Sequence, residues 1–69
     1  MTQTIRMTLE AARVNAGLTQ KDVCKALDIS LTTIWMWERG DRVPPVDKAI
    51  KLAELYGVPM EFINFSRKS

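Results

Sequence analysis

The chain has 69 residues, a formal net charge of +2 and 46% hydrophobic residues, which fits one small domain over residues 1–69. No apolar run approaches the ~20 residues that a membrane-spanning helix needs, so the composition excludes a membrane protein. With no histidine, one cysteine and three isolated glycines, the chain lacks the usual metal sets, histidine-activated nucleophiles and phosphate-binding loops. The sequence therefore predicts that the chain is not an enzyme and binds no metal, cofactor or small-molecule ligand.

The first predicted element is a short lead-in at residues 1–7, which has no cap and no period and is expected to be flexible or briefly extended. Thr8 is a good N-cap for a first helix over residues 8–16, and Gly17 ends that helix through a left-handed residue. Arg13 lies on the inward face of this helix. Its guanidinium needs a partner there, because an unpaired charge would be costly to desolvate.

Two short helices separated by a tight turn follow, over residues 19–27 and 30–39. Thr19 and Ser30 precede them, and each hydroxyl can accept a hydrogen bond from an otherwise unpaired backbone N–H of the first turn. Apolar residues recur at spacings of three and four in both segments, as they do on one face of a helix. The pattern predicts a helix, a turn and a second helix.

The two tryptophans of the second helix in this pair are expected to point in different directions. Trp37 follows Ile34 by three residues and shares its inward face, whereas Trp35 is rotated by ~100° from Ile34. Trp37 is therefore predicted to lie in the core and Trp35 to face outward. A Trp35 that packs half-buried beside Trp37 is the alternative.

Proline and glycine delimit the last two predicted helices. Pro45 fits the first turn of a fourth helix over residues 45–56, which Gly57 ends. A short fifth helix is predicted over residues 59–64, followed by a flexible tail at residues 66–69. The sequence therefore predicts a compact all-α fold of five helices.

Several motifs of this chain lie in register with those of a known family. They are LTQ at residues 18–20, the small Cys24, the step Ile29-Ser30, and WERG at residues 37–40. Together they resemble the lambda-repressor and Cro-type helix-turn-helix family, and the similarity extends over about residues 9–62. The resemblance implies a lambda-repressor-like domain that binds double-stranded DNA and regulates transcription, as small phage or prophage repressors do.

Two positions in the helix pair depart from the family. Cys24 stands where alanine is usual, and it is expected to pack as a small side chain, with a reactive thiol as the alternative. Asp28 stands where glycine is common, so its backbone is expected to be left-handed, a conformation that aspartate tolerates better than most residues. These departures predict the same fold with a mildly strained turn.

The family also implies roles for individual side chains, because the second helix of the pair lies in the major groove. Base contacts are implied for Leu31, Thr32, Thr33, Trp35 and Met36. Phosphate contacts are implied for Thr19, Gln20, Lys21, Ser30, Arg39, Arg42 and Lys48. The resemblance further implies a semi-buried ion pair between Arg13 and Glu38.

The chemistry of the presumed DNA face leaves a second function open. The glutamine, asparagine and arginine side chains that usually read bases are missing, so phosphate contacts are expected to carry much of the affinity. Methionine and aromatic side chains are enriched in protein interfaces, and Leu31, Trp35 and Met36 suit such a surface. The alternative is therefore an interaction module, such as an adaptor or an antitoxin-like partner. Plain solvation is the alternative to phosphate contact for Lys21 and for Arg42.

The apolar residues near the end of the chain are candidates for a dimer interface. Phe62, Ile63 and Phe65 are expected to form a contiguous apolar patch, which often marks a partner surface, although they could instead fold back on the core. A homodimer bound to DNA is predicted on this basis. The lone cysteine and the lack of a signal-peptide pattern at residues 1–6 predict a cytoplasmic location.

Overall fold

The structure is a computed structural model that describes residues 6–65. In chain order its elements are β1 (Met7–Thr8), α1 (Leu9–Asn15), α2 (Gln20–Leu27), α3 (Leu31–Arg39), α4 (Val46–Tyr56), a 3₁₀ helix (Met60–Phe62) and β2 (Ile63–Asn64). Residues 1–5 and 66–69, for which the sequence predicts flexible ends, lie outside the described residues. Within residues 6–65, no helix is both long enough and apolar enough to cross a membrane.

Side-chain hydroxyls cap the N-termini of the first three helices, as the sequence predicts. The capping residues are Thr8, Thr19 and Ser30. At α2 the cap is reciprocal, because Thr19 Oγ1 accepts from Asp22 N at 3.1 Å while the Asp22 carboxylate accepts from Thr19 N at 2.8 Å. The backbone hydrogen bond from Thr19 lowers the pKa of Asp22. The start of α2 is therefore fixed by local chemistry.

A single left-handed residue makes the turn between α2 and α3. Asp28 has φ 57° and ψ 52°, which confirms the conformation expected at this position. Its backbone N–H donates to the carbonyl of Cys24, so α2 ends in a hydrogen-bonded turn. α3 can then begin three residues later in a new direction.

Because Asp28 has a side chain in the left-handed region, its replacement by glycine is expected to stabilise the fold. The gain should be at most about 1 kcal/mol, since glycine removes the steric cost of the Cβ atom but loses more backbone entropy on folding. Asp28→Val is the control, and it should destabilise the fold because a β-branched residue is strongly disfavoured there. Urea unfolding monitored by circular dichroism measures both effects, and equal midpoints for the two variants would contradict the argument.

The hydrophobic core takes side chains from all four helices and from β2. Its members are Leu9, Ala12, Val23, Leu27, Ile34, Trp37, Leu52, Ala53, Tyr56 and Ile63. Trp37 is 7% exposed whereas Trp35 is 48% exposed, so the prediction that the two tryptophans face opposite ways is confirmed. Cys24 packs partly buried against this core, as a small side chain would.

The end of the described chain differs from the predicted fifth helix over residues 59–64. Only Met60–Phe62 form a helical turn, and Ile63–Asn64 form β2, which pairs in parallel with β1. The described part is therefore mostly helical, as predicted, but it has four α-helices, one 3₁₀ turn and a small two-stranded sheet, so the expected count of five helices is not quite matched. Met7, for which the sequence left a flexible or an extended conformation open, is extended and pairs with Ile63.

Candidate nucleic-acid interface

The outward face of α3 lies beside the N-terminus of α2 and forms the candidate site. The inward face of α3 is fixed by Ile34 and Trp37, which are both buried. Leu31, Thr32 and Trp35 are exposed on the opposite side of the helix. The packing of one face therefore determines which residues the other face offers to a partner.

Two shallow cavities flank Trp35. One, of about 290 Å³, is lined by Leu31, Thr32, Trp35 and Gln20. The other, of about 190 Å³, is lined by Glu10, Gln20, Trp35, Glu38 and Arg39. The indole thus forms a wall between a mainly apolar notch and a polar one, and Gln20 contributes to both.

The residues implied as base contacts are not equally accessible. Thr33 and Met36 are only partly exposed, in contrast to the other three. The Thr33 hydroxyl also lies 2.9 Å from Ser30 Oγ, so both hydroxyls take part in the N-terminal turn of α3. The structure therefore brings Leu31, Thr32 and Trp35 together at the surface and leaves Thr33 and Met36 at the margin.

A network of hydrogen bonds joins α1, α2 and α3 behind this face. Arg13 Nε donates to Glu38 Oε2 at 2.7 Å and Arg13 Nη2 donates to Glu38 Oε1 at 3.3 Å. Arg13 Nη1 donates to the carbonyl of Leu18 at 2.9 Å. The Arg13 and Glu38 side chains are only 11% and 6% exposed, and the hydrogen bond to Glu38 raises the pKa of Arg13. The structure thus brings Arg13 and Glu38 together as a largely buried, bidentate pair.

The same carboxylate orients Gln20 at the start of α2. Gln20 Nε2 donates to Glu38 Oε1 at 2.9 Å. Because a carboxylate can only accept, the amide nitrogen must face Glu38, and the amide oxygen and the second N–H are left for other partners. Tyr56 packs in the core near this network, and burial, with the nearby Glu38 carboxylate, raises its pKa.

The residues implied as phosphate contacts fall into two groups. Thr19, Lys21, Ser30, Arg39 and Arg42 are exposed near the ends of α2 and α3, and Gln20 is partly exposed beside them. Lys48 is different, because its Nζ lies 3.5 Å from the carbonyl of Leu27 at the C-terminal end of α2. The structure therefore does not bring Lys48 together with the residues at the N-terminus of α2.

The predicted dimer surface needs a correction. Ile63 is 3% exposed and belongs to the core, because its pairing with Met7 places β2 against α1. Phe65 is partly buried and packs against the same core, whereas Phe62 is exposed. Of the three predicted residues, only Phe62 has a large exposed apolar side chain; Leu55 of α4 and Met60 of the 3₁₀ helix are also exposed.

Comparison with known proteins supplies the family. A model of the family described as Helix-turn-helix matches residues 9–63. The chain belongs to the helix-turn-helix family. It is also similar to the HTH-type transcriptional regulator ImmR of Bacillus subtilis (strain 168), with 36% identity over 55 residues. That match covers 80% of this chain and 43% of the length of ImmR, so the chain spans less than two thirds of that relative. No solved structure matches the chain.

Membership of the helix-turn-helix family confirms the resemblance to repressor and Cro-type proteins that the motifs at residues 18–20 and 37–40 carry. It also agrees with the prediction that the chain is not an enzyme. The helix pair of the family is α2 and α3. Sequence reasoning missed one residue beside the end of this pair, Asp41, which follows α3 and whose Oδ2 lies 3.2 Å from Arg39 Nε. It also missed the contact between Arg39 and Trp35, although their spacing of four on a helix indicates it.

Proposed function

We propose that the chain binds double-stranded DNA sequence-selectively through α3 and acts as a transcriptional regulator, in the manner of a small phage or prophage repressor. The observation that carries this proposal is the exposed face of Leu31, Thr32 and Trp35 on a helix whose other face is buried in the core. A helix fixed in this way is what major-groove docking requires. The relative ImmR, whose name is that of a transcriptional regulator, supports the same role. Such a regulator acts in the cytoplasm.

Base readout by this face would rest on single contacts. The Thr32 hydroxyl can bond to a base edge, and Leu31 can contact the methyl group of a thymine. Neither side chain can make a bidentate hydrogen bond, which is the contact that discriminates bases most strongly. Selectivity should therefore be moderate, and the affinity should depend mainly on phosphate contacts.

The phosphate contacts are proposed for exposed cations near the ends of the two helices, namely Lys21, Arg39 and Arg42. Each cation that neutralises a phosphate releases a bound counterion, so the affinity falls as salt rises. In the first turn of α2, the backbone N–H groups of Gln20 and Lys21 lie outside the Thr19–Asp22 cap and can favour an anion. Mutations of the phosphate-contacting cations and of the base-contacting side chains should therefore change the salt dependence and the sequence selectivity of binding differently.

We expect Arg42→Ala and Thr32→Ala to separate these two effects on a selected cognate duplex and a random duplex. Arg42→Ala should weaken both complexes by a similar factor and reduce the magnitude of the negative slope of log affinity on log salt by ~0.9. Thr32→Ala should weaken only the cognate complex, by ~1 kcal/mol, and leave the slope unchanged. Fluorescence anisotropy across a salt series, after selection of the cognate site from randomised duplexes, measures the affinity and the salt slope of each variant on both duplexes.

Lys51→Ala is the matched control for Arg42→Ala, because it removes one positive charge from an exposed position of α4 on the cavity between α2 and α4. Its salt slope should equal that of the unmodified chain. A slope reduced as much by Lys51→Ala as by Arg42→Ala would mean that net charge alone governs binding, and the proposed interface would be wrong.

The notch between Leu31 and Trp35 favours a second candidate function, an adaptor or antitoxin-like interaction module. Both side chains are exposed and line the cavity of about 290 Å³ with Thr32 and Gln20, which could receive an apolar side chain of a protein partner. An adaptor should bind random DNA with almost no dependence on salt, whereas a DNA-binding protein shows a steep negative slope. The same anisotropy series therefore distinguishes the two functions.

We also propose that the chain binds DNA as a homodimer, with Phe62, Met60 and Leu55 as the apolar contacts. Two copies related by a two-fold axis require half-sites about one helical turn apart. Moving one half-site by about five base pairs should abolish tight binding, because the second copy would face the opposite side of the duplex. Electrophoretic mobility shifts on spaced operators measure this effect, and binding that is independent of the spacing would contradict a rigid dimer.

A further inference from the structure

Three residues at the C-terminal end of α3 form a connected array, the Trp35–Arg39–Asp41 array. The Cζ atom of Arg39 lies 4.6 Å from the centroid of the Trp35 ring. Arg39 Nε lies 3.2 Å from Asp41 Oδ2, in an ion pair whose two side chains remain partly exposed. The guanidinium is thus held by a ring on one side and a carboxylate at one edge.

These two contacts restrict a side chain that would otherwise be mobile. An exposed arginine samples many rotamers, and any ligand that immobilises it must offset that entropy. The ring attracts the cation through its quadrupole, and the Asp41 carboxylate attracts it by its charge on the side of Nε. The N–H groups of Nη1 and Nη2 match the geometry of a phosphate.

The position of Trp35 argues against base recognition by its indole. Arg39 covers one face of the ring, so that face is not open to a stacking base, and the only polar group of the ring is one N–H donor. Leu31, Trp35 and Arg39 follow one another at spacings of four, so they form a single row along α3. Trp35 therefore lies between Leu31 and Arg39, where it lines the notch beside Leu31 and contacts the guanidinium of Arg39.

We propose that Trp35 is a positioning residue, which holds the guanidinium of Arg39 ready for a DNA phosphate and reads no base itself. This inference rests on the proposed function, because it assumes that α3 lies in the major groove. It changes the role implied by the family resemblance, in which Trp35 belongs to the base contacts. It also gives Asp41 a role, since its carboxylate lies beside Nε of Arg39 and restricts the direction in which the guanidinium points.

The test uses the full chain and the cognate and random duplexes in a salt series, with the variants Trp35→Leu, Trp35→Phe, Arg39→Ala, and Trp35→Leu combined with Arg39→Ala. Arg39→Ala should weaken both complexes by a similar factor and reduce the magnitude of the negative slope of log affinity on log salt by ~0.9. Trp35→Leu should weaken both complexes by the same factor, about 2- to 5-fold, which is the range of an exposed cation–π contact. Trp35→Phe keeps a ring and should recover part of that loss.

The double variant isolates the coupling between the two residues. Once Arg39 is alanine, Trp35→Leu should have no further effect on either complex, because there is no guanidinium left to position. A merely structural role for Trp35 would instead lower the melting temperature strongly, so the variants are compared by thermal unfolding, where Trp35→Leu should lose no more stability than Arg39→Ala, which removes the same cation–π contact.

Two results would overturn the proposal, and they can be told apart. If Trp35→Leu weakens only the cognate complex, and does so equally when Arg39 is alanine, then Trp35 reads a base directly and the positioning role is wrong. If the unmodified chain binds neither duplex, the proposed function fails and this inference fails with it. Equal losses on both duplexes that vanish in the Arg39→Ala background support it.

Discussion

Replacement of Trp37 by alanine is expected to lower the free energy of unfolding by about 3–5 kcal/mol, the range observed when a large buried aromatic side chain is truncated. Trp37 is almost fully buried and packs with Ile34 and Leu52 in a core that is small for any domain. A chain of 69 residues has a total stability of roughly 3–10 kcal/mol by the usual values per residue. The variant should therefore be largely or wholly unfolded at room temperature.

Trp35→Ala is the matched control, because it makes the same chemical change two positions away on the same helix. Trp35 is nearly half exposed, and its ring contacts the guanidinium of the exposed Arg39. Its truncation should cost less than about 1 kcal/mol and leave the fold intact. Urea unfolding followed by far-ultraviolet circular dichroism measures both variants without relying on tryptophan fluorescence. Equal losses for the two variants would contradict the assignment of the faces of α3.

The different orientations of the two tryptophans could be predicted from the sequence for a simple physical reason. A helix rotates by ~100° per residue, so one anchored residue such as Ile34 determines the direction of its neighbours. The hydroxyl caps were predictable for a similar reason, since Thr8, Thr19 and Ser30 each act within one turn of their own position. Local chemistry decides these features, and the printed sequence contains all of it.

The end of the described chain could not be predicted in this way. Ile63 and Asn64 are extended because they pair with Met7 and Thr8, which lie near the other end of the chain. The apolar pattern of residues 59–64 is equally compatible with a short helix, because a run of this length cannot distinguish a helix from a buried strand. The burial of Ile63, and its loss from the proposed dimer surface, follow from that distant pairing.

The candidate site contains both features that local chemistry determines and features that depend on how distant segments pack. The contact between Trp35 and Arg39 was accessible from their spacing, which brings side chains together on any helix. The contact between Gln20 and Glu38 was not, because it depends on how α2 crosses α3. Asp41 was also hidden, since it follows the left-handed Gly40 at the end of α3, and the direction of the chain there is set by the backbone turn.

The second large effect is expected at the pair of Arg13 and Glu38. Removal of either partner leaves the other charge poorly hydrated, and the loss for a largely buried pair is typically about 3 kcal/mol. Arg13→Met and Glu38→Met remove the charges while keeping similar volume. The double variant should lose less than the sum of the single losses, because it leaves no unpaired charge. A thermodynamic cycle from urea unfolding gives the coupling energy directly.

The chain contains its own control for this cycle, the exposed pair of Arg39 and Asp41. Its coupling energy should be at most about 1 kcal/mol, since solvent screens an exposed pair. A coupling as weak between Arg13 and Glu38 would show that the buried pair adds no more than a surface one.

The two buried charges should also differ in their effect on the proposed DNA-binding face, and this difference completes the prediction. Glu38 accepts from Gln20 as well as from Arg13, whereas Arg13 donates to Glu38 and to the carbonyl of Leu18. Glu38→Met should therefore release the Gln20 amide and weaken binding to DNA, while Arg13→Met leaves the bond between Gln20 and Glu38 in place. Anisotropy at a temperature where both variants are folded measures the two affinities. Equal losses would mean that Gln20 acts without the support of Glu38, and that the network stabilises the fold without orienting the site.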